Sequence, residues 1–344
     1  MTNIHTLALA ALLALSAAAP HAFAGDPPAA PILAAKAKQE VVYDDKADAA
    51  KDIDTAIARA KRNHTRVLVQ WGANWCGWCK KLHATCASDK DISKKLRYEY
   101  EVVLVDIGQF NKHMDLATKY GADLKKNGVP FLTVLGDDGA IIANQDTGPL
   151  EDPKISAHDV VKVLAFLSTN QAPTLNADEV LAAGIAQAKA DGRLVFLHFG
   201  APWCGWCHKL EDWMAKPEIA AVLSKAFVDV KIDTDRMTGG QLLLDAHAKG
   251  KSGGIPWCEF IGADGVALAN SNGPDGNIGF PAQTQEIAWF VKMLKVSNAR
   301  LSAEDTAILE NSLSAKAREH SHREWGEFPI KSRQRIVGQI GDRA

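Results

Sequence analysis

With 344 residues the chain is long enough for about two domains, each with a core of its own. The formal charge is only -2, with 39 Lys and Arg interspersed among 41 Asp and Glu. That balance excludes the concentrated single-sign surface expected of a nucleic-acid binder or of a protein held to an anionic membrane by charge.

The first 24 residues hold no Asp, Glu, Lys or Arg, run apolar from Leu7 to Ala19 and end in Ala22-Phe23-Ala24. This reads as a secretory leader cleaved after Ala24, because the apolar run falls short of the roughly 20 residues a bilayer span needs. The mature chain is therefore expected to be periplasmic or secreted, without a membrane span, in surroundings where disulfides persist. Residues 25–44, rich in Pro and Ala, read as a flexible lead-in.

Two copies of one pattern follow, at residues 45–171 and 172–298. In the first, Ile53, Ala56, Ile57 and Ala60 have helical spacing ahead of an apolar strand from Arg66 to Trp71. WCGWC comes next, then helical segments, a strand at Val102 to Ile107, and a Pro-led strand running into Asp-Asp-Gly, a hairpin signal. The second copy repeats this: Leu181, Ile185 and Ala188 on a helix, strands at Leu194 to Phe199 and Phe227 to Ile232, and a Pro-led strand into Ala-Asp-Gly. VLVQWGANWCGWCKKL (Val67 to Leu82) overlies VFLHFGAPWCGWCHKL (Val195 to Leu210) at an offset of 128, which marks an internal duplication. Strands alternating with helices and closed by a hairpin predict an α/β fold, a mixed central sheet flanked by helices in each copy. Residues 299–344 form a tail, in which Ser302 and Asp305 resemble a helix cap and Ile308, Leu309 and Leu313 are expected on one face. The His320 and His322 pair in that tail reads as solvated, since residues two apart do not share a helix face.

A cysteine acts as a nucleophile only as thiolate, and the free N–H groups and dipole at a helix N-terminus favour that anion. Cys76 and Cys204 stand where strand gives way to helix; one turn later, Cys79 and Cys207 return beside them, placed to resolve a mixed disulfide. Other uses of the motif compete. Cys204-Gly-Trp-Cys207-His208 also fits the c-type haem attachment pattern, although the other copy has Lys80 in place of His208. A shared zinc site would have to draw its two cysteine pairs from different domains. A third alternative is a non-enzymatic client-binding module whose two bridges are permanent.

On Trp75, Cys76, Gly77, Cys79 and Pro130, and on Trp203, Cys204, Gly205, Cys207 and Pro256, both copies resemble the thioredoxin family. The resemblance implies two tandem thioredoxin-like domains, catalytic Cys76, Cys79, Cys204 and Cys207, and cis bonds before Pro130 and Pro256 facing the disulfides. It also implies no cofactor or metal, with protein thiols as substrates and another thiol-disulfide protein as electron partner. Trp75, Trp78, Trp203 and Trp206 would form an apolar rim for an unfolded client, with Trp257 either on that rim or in the core. Where the family has a buried acid, this chain has Gln70 and His198; imidazole can accept a proton and glutamine cannot, so the second resolving thiol is expected to ionise faster. Cys86 and Cys258 align with the hydrophobes Met214 and Leu132 and read as core, with Cys258 also a candidate third thiol.

Overall fold

The computed structural model describes residues 41–321 apart from 298. The leader, its cleavage site, most of the lead-in, the side chains of His320 and His322, and the end of the tail lie outside the described residues.

In the first domain, α1 (Ala49–Asn63) begins where the Asp48 carboxylate accepts the N–H of Lys51 and ends at His64, which turns left-handed. Its Ile53, Ala56 and Ala60 are buried against one face of the sheet, with Ile57 at the margin of the same cluster. There follow β1 (Arg66–Gly72), α2 (Gly77–Ser88), α3 (Lys90–Glu99), β2 (Tyr100–Asp106), the short α4 (Met114–Lys119) and α5 (Leu124–Asn127), and β3 (Phe131–Leu135). The domain closes with β4 (Ile141–Asp146), a two-residue pair β5 (Glu151–Asp152) and β6 (Ala157–His158), and α6 (Val160–Thr169). The sheet order is β2-β1-β3-β4. β1 is parallel to β2 and antiparallel to β3, so the sheet is mixed as expected. β1 is buried from Val67 to Gly72, and apolar there apart from Gln70, because helices cover both its faces. Val67, Val69 and Trp71 meet α1, while Leu68 meets Leu82, Cys86, Ile92 and Phe166 from α2, α3 and α6.

The second domain repeats the plan with α7 (Ala177–Asp191), β7 (Leu194–Gly200), α8 (Gly205–Met214), α9 (Pro217–Ala226), β8 (Phe227–Asp233), α10 (Gly240–Ala248), β9 (Trp257–Ile261) and β10 (Ala267–Asn270). β11 (Asn272–Gly273), β12 (Gly276–Asn277) and α11 (Thr284–Val296) complete it, with sheet order β10-β9-β7-β8. The tail helix α12 (Ala303–Ser321) docks rather than standing free. Ser302 and Asp305 cap it reciprocally, the Ser302 hydroxyl accepting the N–H of Asp305 and the Asp305 carboxylate accepting that of Ser302. Leu309 and Leu313 are fully buried in the cluster of Trp213, Phe290 and Leu294, but Ile308 is exposed. Ile308 therefore does not share their face: its neighbour in sequence, Leu309, takes the inward position about 100° further round the helix.

The domains meet through charge. Arg236, on the loop after β8, donates to the carbonyls of Asn63 (3.0 Å) and His64 (3.1 Å) at the C-terminal end of α1 and pairs with Glu99 at 2.9 Å. A cation at that helix end meets carbonyls with no intrahelical partner. Arg59 pairs with Asp212 at 3.2 Å, and Tyr98 donates to Asp235 at 3.1 Å.

Because α12 contributes wholly buried leucines to the second core, Leu313→Ala should cost about 2–5 kcal/mol. Denaturant unfolding followed by fluorescence of Trp213, whose indole donates to Ser312 on the same helix, checks this; Ile308→Ala should cost much less.

Candidate functional site: two cysteine-capped helix ends

Both motifs sit at the N-terminus of the helix that follows the central strand. Cys76 is itself the N-cap of α2, its sulfur accepting the N–H of Cys79 at 3.0 Å; Cys204 caps α8, accepting the N–H of Cys207 at 3.1 Å. Gly77 and Gly205 open the helices. The pairs Cys76–Cys79 and Cys204–Cys207 are disulfide-bonded, with Cα atoms 5.3 Å apart in each. Val129-Pro130 and Ile255-Pro256 are both cis. The carbonyl preceding each proline faces the first sulfur, Val129 O at 3.5 Å from Cys76 Sγ and Ile255 O at 3.6 Å from Cys204 Sγ. The cysteines are at most 5% exposed.

Around these buried sulfurs the tryptophans are open: Trp75 is 45%, Trp203 56% and Trp206 46% exposed, with Trp78 half-buried. Lys81 lies over the Trp78 ring at 4.2 Å and Lys209 over Trp206 at 3.7 Å, cation-π contacts that fix the rings. A shallow groove of about 230 Å³ beside the second site is lined by Trp206, Ile255, Pro256, Ile278 and Phe280. Trp257 is not on this rim. It is fully buried, stacked near Phe199 and donating to Asn272, because its position on β9 points into the α7 side of the sheet.

Behind the sulfurs the two sites differ. In the first, Gln70 is buried and its amide donates to the Tyr43 hydroxyl at 2.6 Å. Tyr43 and Val42 pack on Cys76 and Cys79, so ordered structure reaches into the segment read as a lead-in. A methyl group at Gly72 would overlap the Tyr43 hydroxyl and lie 3.0 Å from Cys79 Sγ, so tyrosine and sulfur converge on that glycine. In the second, His198 is buried, but its Nε2 lies 3.0 Å from Asp229 at the protein surface. The group that converges with Cys207 is Glu211: a Cβ at Gly200 would be 3.4 Å from Cys207 Sγ and 3.8 Å from Glu211 Oε1. The Glu211 carboxylate is 1% exposed and pairs with the Lys231 ammonium at 2.5 Å and with His208 Nδ1 at 3.5 Å. Burial pushes its pKa up, but His208 and Lys231 outweigh that and hold the carboxyl well below the usual carboxylate range. Sequence reasoning missed Glu211, Lys231 and Tyr43. The available signal was an acid one helical turn after Cys207 on an inward face, with a lysine between Val230 and Ile232 inside β8.

His208, the last residue of the haem-like pattern, turns its Nε2 to the Pro202 carbonyl at 2.9 Å. Among the described residues no group of three or more His, Cys, Asp or Glu could hold a metal ion, and no helix is long and apolar enough to cross a membrane. Cys86 packs among Leu68, Leu82 and Ile92, and burial pushes its thiol up to about 12. Cys258 packs among Phe196, Leu210 and Trp213, in a cluster separate from that of Cys204 and Cys207; burial raises its thiol likewise.

A family model described as thioredoxin-like matches residues 48–136 and again 176–263, just over half of the chain, and the chain belongs to that family. No curated protein matches it significantly. Similar solved structures include the disulphide isomerase from Xylella fastidiosa Temecula1, at 28% identity over 38% of this chain and 96% of that one, with a TM-score of 0.34. A DsbH oxidoreductase is 23% identical over 37% of this chain and 88% of that one, TM-score 0.26. The oxidised C-terminal domain of DsbD from Neisseria meningitidis is 18% identical over 36% of this chain and 97% of that one, TM-score 0.28.

The first site also carries an acid-sensitive residue. His158 is buried edge-on to Trp78, with neither ring nitrogen hydrogen-bonded; burial, then Lys81, lowers its pKa to about 4. Unfolded, it titrates near 6.5, so the unfolded chain binds the proton first. The stability it contributes is whole above pH about 6.5 and drains away as pH falls towards about 4. His158→Leu should flatten that limb of a melting-temperature profile; an unaltered slope there would contradict the assignment.

Proposed function

We propose that the chain is an exported thiol-disulfide oxidoreductase acting on protein cysteines through two sites, one in residues 45–171 and one in 172–298. One observation carries this reading. In each domain a sulfur caps a helix, shares a disulfide with the cysteine one turn on, and faces the carbonyl before a cis-proline. A structural bridge needs neither the helix cap nor the cis-proline, and a disulfide closing so short a loop contributes little stability.

With a site reduced, the Cys76 or Cys204 thiolate attacks one sulfur of a client disulfide; a mixed disulfide forms and one client thiolate leaves. Cys79 or Cys207 then loses its proton and attacks the sulfur of its partner. The motif disulfide forms and the second client thiolate departs, leaving the client reduced by two electrons and the site oxidised. Another thiol-disulfide protein resets the site, and the same steps run backwards oxidise a client. Trp75, Trp78, Trp203 and Trp206 supply apolar contact to an unfolded client, while Pro130 and Pro256 position its backbone against the sulfurs. Gln70 and His198 act behind the sulfurs as positioning groups. The leader read in residues 1–24 supports a periplasmic or secreted setting, where a partner of the same chemistry is needed.

Titration of the full chain against glutathione, with each pair's redox state read peptide by peptide, tests this. Both pairs should open and close reversibly at potentials above about -300 mV, the range below which structural disulfides lie. Inertness of both would overturn the reading. Joint Cys76→Ser and Cys204→Ser exchange should abolish catalysed insulin reduction, whereas Cys86→Ala and Cys258→Ala should leave both titrations unchanged.

A further inference from the structure

The first domain reaches into the machinery behind the second disulfide. Lys231 is inside β8, 7% exposed, with its ammonium 2.5 Å from Glu211 Oε1. A buried ammonium has three protons to place, and one of its acceptors is foreign to the domain: the Asn63 side-chain oxygen, at the last residue of α1, lies 2.8 Å away. The same turn of α1 sends Arg62 to the backbone carbonyl of Glu211 at 3.3 Å. Asn63 is itself 8% exposed and anchored through its amide to Glu101 at 2.7 Å, while Arg236 holds its backbone carbonyl. We propose that Asn63 of the first domain is a positioning residue for the second site, holding Lys231 against Glu211 and so setting how readily Cys207 ionises.

A carboxylate converging with Cys207 disfavours a second negative charge on that sulfur, and the nearby ammonium offsets this. The charged and titratable groups bearing on the cluster are His208 from α8, His198 from β7 with its partner Asp229, Lys231 from β8, Arg62 from α1, and Arg236 from the following loop. Three further acids face the cluster, Asp233 and Glu99 met by Arg236 and Glu101 by the Asn63 amide, while Glu211 is the acid that Lys231 and His208 meet. In the first copy the pattern is absent: Leu104 stands opposite Gln70 in the strand register where Lys231 stands opposite His198. The first site thus has no counterpart of this lysine for the second domain to hold.

This inference rests on Cys204–Cys207 being a working redox pair, and the test separates the two. In the full chain carrying Cys204→Ser, the rate of Cys207 alkylation by iodoacetamide is followed against pH by mass spectrometry, with Cys79 in a Cys76→Ser chain as the control. Losing the Asn63 oxygen loosens Lys231 and leaves Glu211 less offset, so Asn63→Ala should move the Cys207 midpoint to higher pH, slowing the reaction roughly threefold or more below it. Glu211→Gln should move it to lower pH. Asn63→Ser, which keeps an oxygen there, should shift it less than alanine does, and the Cys79 profile should stay put. The buried Cys86 and Cys258 report any opening of either domain; if alanine opens the fold, the serine variant decides. A Cys207 midpoint indifferent to both Asn63 variants, or a shift shared equally by Cys79, overturns the proposal even when the wild-type pair equilibrates with glutathione. Failure of that pair to equilibrate sinks the oxidoreductase reading instead.

Discussion

The structure depends on one contact made twice: a cysteine sulfur accepting the N–H of the residue three positions on, in place of the serine, threonine or aspartate oxygen that usually caps a helix. A sulfur used this way must stand at the strand-to-helix junction, so it lies at the edge of the sheet and beside unpaired N–H groups at once. The next elements serve that position. β1 and β7 carry the junction up from a core buried on both faces, and the cis bonds before Pro130 and Pro256 bring a carbonyl back over it. The glycines immediately behind leave room for the Tyr43 hydroxyl at position 72 and for Cys207 itself at position 200.

Duplication preserved the front of each site and let the back diverge. The four cysteines and the two cis-prolines are placed alike, whereas the group behind the second sulfur of each pair is a neutral amide and phenol in one copy and an ion pair in the other. A buried Glu–Lys pair is seldom worth its desolvation for stability alone. Its retention beside one sulfur and not the other gives the two sites different electrostatics on one backbone plan.

Much of this was legible beforehand. Helical spacing at Ile53, Ala56 and Ala60, apolar β1 and β7, and the hairpin turns at Asp137-Asp138-Gly139 and Ala263-Asp264-Gly265 are local signals, and each became the expected element. The motif cysteines and prolines carry chemistry that few other residues can, so they stood out as well. What stayed hidden depends on which way a side chain turns. Ile308 and Leu309 are equally apolar, but only one faces the core. Trp257 has the composition of a rim residue and the strand position of a core one. The asymmetry between Gln70 and His198 pointed to unlike sites, yet the buried acid behind the second disulfide, Glu211, came from α8, while His198 turns towards Asp229. Asn63 could not be found at all without knowing how one domain leans on the other.

Cys86 and Cys258 bring a less obvious consequence. Unfolded, the chain carries six thiols, which admit 15 fully paired arrangements, and the native one uses only the two shortest closures and leaves two sulfurs single. Short closures form quickly but return little entropy, so nothing in the linkage itself guards against scrambled partners. The guard is timing: each interior must seal its odd sulfur away before an oxidant arrives. A chain meeting an oxidant as it folds is thus protected from itself by hydrophobic collapse rather than by its disulfides.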